Sequence, residues 1–144
     1  MKSISTCGIS VLSNGIKIEI VNWKGNYPSL LYKKVIIGDL SEKKIKKKII
    51  RKLKKYDVEM TCINGSYHVK KAYDLCRSFK NFYFIHGVIR DDKEGAILVE
   101  KIDKVDFLMY RASFFNAKVS LLRRPIDISE TTPLAVIAKE LFLM

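Results

Sequence analysis

The chain has 144 residues, 48% of them hydrophobic and 29% charged, enough for one globular domain over 1–144 with a real core and too few for two ordinary ones. Its 27 Lys and Arg against 15 Asp and Glu give a net charge of +12, which directs attention to polyanionic partners. No run approaches the ~20 apolar residues of a membrane span, and no basic start followed by an apolar block opens the chain, so a soluble cytoplasmic protein with no membrane partner is expected.

Residues 2–12 alternate with β-branched character, and Ser13-Asn14-Gly15 is a tight turn into residues 16–23, which predicts a hairpin. Gly25-Asn26-Tyr27-Pro28 interrupts the pattern before a third strand over 30–37 that ends at Gly38-Asp39.

The next stretch, Ser41 to Tyr56, organises the rest. Ile45, Ile49, Ile50, Leu53 and Tyr56 recur at helical spacing as one apolar stripe, with Ser41 as N-cap and Glu42 at the positive end of the helix dipole. Lys43, Lys44, Lys46, Lys47, Lys48, Arg51, Lys52, Lys54 and Lys55 add nine positive charges against that one acid, so two thirds of the net charge sits on one helix. A solvated helix of a lysine-rich protein is the competing reading. Such a helix usually mixes Glu with Lys at i,i+4, because repeated like charges cost a few tenths of a kcal/mol per pair. Almost no acid compensates here.

Residues 58–63 are a short apolar run of the kind buried in a sheet, closed by Asn64-Gly65. A helix over 67–80 follows, with Val69, Ala72, Tyr73, Cys76 and Phe79 expected to face inward, then a fifth strand over 82–89. A polar turn covers 90–95. Residues 96–102, 105–110 and 118–122 are short apolar runs that read equally as strand or helix. Thr131-Thr132-Pro133 opens a mostly apolar terminal helix that should dock on the sheet. The order βββαβαβ plus a C-terminal helix predicts an α/β fold with a mixed sheet, since parallel strands need crossover helices. It is also the order of ribonuclease H-like domains.

Cys7, Cys62 and Cys76 are odd in number and form no C-x-x-C pair, so buried free thiols are expected rather than a disulfide framework or a zinc site. His68 and His86 fall on different elements, and no phosphate-binding glycine loop or G-x-S-x-G elbow occurs. Neither a metal nor a cofactor is implied.

Three segments resemble an archaeal family, the domain of unknown function 99 group, which is related to endonuclease V. They are residues 30–45 (LLYKKVIIGDLSEKKI), residues 62–69 (CINGSYHV), and the helix start at Pro133-Leu134 with Val136. The resemblance implies a ribonuclease H-like, endonuclease V-like scaffold. The chain departs from that pattern at the acidic positions. Cys7-Gly8-Ile9-Ser10 stands where the family has Gly-Ile-Asp-Asp-Gly, Asn64 stands where an endonuclease V-type enzyme has Asp, and Ala135 replaces an Arg.

Metal-assisted phosphodiester hydrolysis needs two or more carboxylates converging on Mg²⁺. Residues 1–18 contain no Asp or Glu, which leaves Glu19, Asp39, Glu59 and Asp91 as candidates for a divergent Mg-dependent nuclease. The expected function is therefore DNA or RNA binding through non-specific phosphate contacts from Lys44, Lys47, Lys48, Arg51 and Lys55. Tyr67 and His68 are placed to stack on bases, and Lys70 and Lys71 to extend the positive surface. The alternative is a non-catalytic interaction subunit whose basic helix meets an acidic protein, with the apolar terminal helix helping to form a homo- or hetero-oligomer, a homodimer among them.

Overall fold

The computed structural model describes residues 3–38, 43–64, 69–88, 97–102, 104–120 and 132–144. Seven strands, β1 (Ile4–Leu12), β2 (Gly15–Lys24), β3 (Tyr27–Ile37), β4 (Val58–Asn64), β5 (Phe82–Val88), β6 (Ile97–Ile102) and β7 (Val105–Tyr110), form one mixed sheet. Their order across it is β3-β2-β1-β4-β5-β7-β6. The β1-β2-β3 meander is antiparallel, β1-β4, β4-β5 and β5-β7 are parallel, and β6 closes the far side antiparallel to β7. Among the described residues there are also four helices: α1 (Lys43–Lys55), α2 (Val69–Ser78), α3 (Ala112–Ser120) and α4 (Thr132–Leu143).

Side-chain alternation in the central strands supplies apolar surface to two layers, as expected where both faces of parallel strands are covered. Cys7, Ile9 and Val11 of β1 and Ile16, Ile18 and Ile20 of β2 pack with Ile45 and Ile49 of α1 and Ala72, Leu75 and Cys76 of α2. On the opposite side Val21 and Trp23 meet Ala135 and Val136, while Cys62, Ile97 and Leu108 meet Leu134, Ile137 and Ala138. The terminal helix thus docks on the sheet as its apolar sequence requires. Its attachment is also polar: Trp23 Nε1–H donates to Thr6 Oγ1 at 2.8 Å, and Thr6 Oγ1–H donates to the Ala135 carbonyl at 2.7 Å. α4 further carries Lys139, 3% exposed, whose ammonium lies 4.9 Å from the Trp23 ring centroid and 3.2 Å from Asn26 Oδ1. Burial pushes the Lys139 pKa down, against the pull of neighbouring Glu140.

Several sequence expectations shift. The third strand begins at Tyr27, before Pro28, rather than at Leu30. Proline is tolerated there because β3 is the edge of the sheet, where a missing N–H need not interrupt a ladder. In α2, Val69 is exposed at 45% and does not face inward, while Leu75 is fully buried. Residues 97–102 and 105–110, ambiguous in period, pair as a hairpin, and Lys118 lies in the last turn of α3. The hairpin and α3 extend the predicted element order. Ser41, Glu42, Asp39 and Thr131 lie outside the described residues.

All three cysteines are free and buried. Burial pushes each thiol pKa up, that of Cys76 to about 12. They are core side chains, inert at neutral pH.

Candidate nucleic-acid interface

α1 is anchored by Ile45 and Ile49, fully enclosed, with Ile50, Leu53 and Tyr56 half-buried beside them. Burying each of the first two is worth about 1.5–3 kcal/mol, which fixes the rotation of the helix about its axis. That rotation turns Lys43, Lys44, Lys47, Lys48, Arg51, Lys54 and Lys55 to solvent. Lys44, Lys48, Arg51 and Lys55 follow one another at steps of four, three and four residues and so form a single stripe along the helix. Lys47 lies beside it.

The remaining two cations of α1 are engaged, as is Lys55 of the stripe, whose Nζ lies 5.4 Å from the Tyr56 ring centroid. Lys46 Nζ donates to Ser78 Oγ of α2 at 3.2 Å, and Lys52 Nζ lies 4.8 Å from the Tyr32 ring centroid. Tyr32 in turn stacks on Tyr56, with centroids 6.0 Å apart. Among the described residues no carboxylate forms an ion pair with any α1 cation. The last-turn lysines 52, 54 and 55 suit the negative end of the helix dipole, where the chain leaves the helix through Asp57 at φ 50°. The dipole accounts for the position of these three and not for the stripe as a whole.

Lys70 is exposed and Lys71 half-buried in the first turn of α2, on a separate helix from the stripe. Tyr67 and His68 lie outside the described residues.

What α1 does meet is β3. Between them runs a groove of about 280 Å³ lined by Tyr32, Lys34, Val35, Ile36, Ile37, Lys48, Arg51 and Lys52. Four of these eight residues are cationic and none is acidic. Sequence reasoning does not single out Tyr32, Lys34 and Lys52 as contacts. A signal is nevertheless present in LLYKKVII, because adjacent lysines in an otherwise apolar strand are a common guard of an exposed sheet edge.

The two positions that the resemblance sets against acidic residues are neighbours in the sheet. Ser10 and Asn64 are register partners in β1 and β4, and Lys17 is the partner of Ser10 on its other side. Glu19 is 5% exposed in the middle of β2, opposite Gly8, whereas Glu59 is exposed on β4. Among the described residues no group of three or more His, Cys, Asp or Glu side chains could hold a metal ion. Asp39 and Asp91 lie outside the described residues. No helix among them is long and apolar enough to cross a membrane.

The chain matches no protein-family model, and neither a curated protein nor a solved structure is significantly similar to it.

Proposed function

We propose that this chain is a nucleic-acid-binding protein on a ribonuclease H-like, endonuclease V-like scaffold that has lost its metal-binding carboxylates. The observation that carries the reading is the stripe Lys44, Lys48, Arg51 and Lys55 with Lys47 beside it, exposed and without an acidic partner among the described residues. Such a surface neutralises phosphates and releases counterions, giving affinity with little sequence preference. The scaffold assignment is supported by the element order of the first five strands and by the resemblance of residues 30–45 and 62–69. Binding is favoured over cleavage because Ser10 and Asn64, paired in register, offer neutral side chains where a nuclease of this type places acids.

A second reading, a protein-interaction subunit, draws on the exposed apolar side chains of β3, with Leu30 at 57% and Ile37 at 64% exposure.

Fluorescence anisotropy of labelled DNA and RNA, single- and double-stranded, across a salt series separates the two. The nucleic-acid reading expects a log–log slope steeper than about −3, equivalent to several phosphates engaged. Absence of binding to any of these probes at low salt refutes it.

A further inference from the structure

The groove between α1 and β3 combines two features that a phosphate-binding surface alone does not need. One is its cationic wall of Lys34, Lys48, Arg51 and Lys52. The other is its β3 side, lined by Val35, Ile36 and Ile37 of a strand at the edge of the sheet.

The direction of the backbone groups along that edge follows from one hydrogen bond. Gly38 N–H donates to the Asn14 carbonyl at 2.8 Å, immediately beyond the register pairs Ile16 with Ile36 and Ile18 with Lys34. In an antiparallel ladder, pairs that exchange both hydrogen bonds alternate with pairs that exchange none. Ile36 and Lys34 therefore turn their N–H and C=O groups toward β2, while Lys33, Val35 and Ile37 turn theirs outward. Among the described residues no strand lies beyond β3.

Each outward residue presents a donor and an acceptor side by side, next to a cluster of positive charge. A nucleobase carries the complementary pattern on its pairing edge, and a phosphodiester carries the complementary charge. Within a duplex that edge is already occupied by the partner base. The groove's volume, near the lower limit of small-molecule sites at roughly 300 Å³, suits one nucleotide and not a helix.

We infer that the α1–β3 groove takes an unpaired nucleotide of a single strand, its base hydrogen-bonded to the outward backbone groups of Val35 or Ile37 and its flanking phosphates held by Lys48 and Arg51. The inference rests on the nucleic-acid reading and adds strand selectivity to it. A second copy of the chain is a poor occupant, since each copy has a net charge of +12 and presents Lys33 and Lys34 on this strand.

The test compares labelled oligothymidylate, an abasic deoxyribose-phosphate strand of equal length and a hairpin duplex, all at matched salt on the whole chain. Oligothymidylate should bind about tenfold more tightly than the other two, the usual worth of one two-pronged base contact. Amide hydrogen exchange at Val35 or Ile37 should slow with oligothymidylate and not with the abasic strand. Val35→Pro removes an outward N–H while sparing the β2–β3 ladder, so it should bring oligothymidylate down to the abasic level with an unchanged salt slope. Equal affinity for all three probes overturns the inference and leaves the nucleic-acid reading standing; no binding to any of them overturns both. Should Val35→Pro fail to fold, the abasic comparison and the exchange data on the unaltered chain still decide. Displacement of the strand by poly-glutamate at equal charge, weakened to the same extent by Val35→Pro, means that the edge accepts any extended polyanion and also overturns it.

Discussion

Reversing Lys47, Lys48 and Arg51 together to Glu should move binding and stability in opposite directions. All three side chains are exposed and none forms an ion pair among the described residues, so each is free to meet a phosphate. Every phosphate contact to a single strand adds about 0.7 to the steepness of the salt dependence. Losing three flattens the slope by about 2 and, at roughly 0.1 M salt, weakens binding about 100-fold. The helix itself should gain. Positions 43 and 47, 44 and 48, 48 and 52, and 51 and 55 are like-charged i,i+4 pairs in the native chain and become opposite-charged ones in the variant. At 0.2–0.5 kcal/mol per pair and partial screening, the net gain is about 1–2 kcal/mol, or a few degrees in Tm. Anisotropy at several salt concentrations and a thermal melt measure both quantities on one preparation. An unchanged slope refutes the assignment of the stripe as the contact surface, and a melting point lowered by several degrees shows that the cations serve the fold.

Four further outcomes are expected. Gly15→Ala places a Cβ against the backbone carbonyl of Ile36, so it should cost about 1–3 kcal/mol in chemical denaturation and disturb the β3 edge. Thr6→Val leaves the Trp23 Nε1–H and the Ala135 carbonyl without their buried partner, a loss of about 2–3 kcal/mol read from the urea midpoint; a change below about 0.5 kcal/mol would mean that these bonds do not hold α4. Lys104→Gly should raise stability by about 1 kcal/mol, because Lys104 sits at φ 65° between β6 and β7, and calorimetry checks it. At alkaline pH the three thiols dominate. Their folded pKa values are raised, so they contribute stability that is whole below about 8.5 and declines above it by about 1.4 kcal/mol per pH unit per thiol, as the unfolded chain releases protons that the folded chain keeps. Cys62→Ala should flatten the fall in Tm between about pH 8.5 and 10.5; Lys139, shifted down, works in the opposite sense over the upper part of that range.

Elements with an unambiguous period are legible in the amino-acid order alone. The alternation of β1 and β2 around Asn14, and the i,i+3/i+4 isoleucines of α1, each identify one buried side without reference to neighbours. Ile97–Ile102 and Val105–Tyr110 are not, because six apolar-rich residues are compatible with either period and pairing partners decide. The cationic stripe is visible as composition, since exposed charge is local. The groove is not, because it depends on β3 being an edge strand, a property of sheet order that no residue in LLYKKVII encodes alone. Lys139 and Glu140 carry the same lesson in reverse: two charged residues on an apolar helix look solvent-facing in sequence, yet both are buried.

The bond from Thr6 to the Ala135 carbonyl joins residues 129 positions apart. During synthesis β1 and β2 therefore exist well before the helix that covers Val21 and Trp23. At about 5–20 residues per second the interval from β2 to α4 lasts several seconds, long compared with strand pairing. A nascent chain of this protein spends that time with the tryptophan face of β2 uncovered.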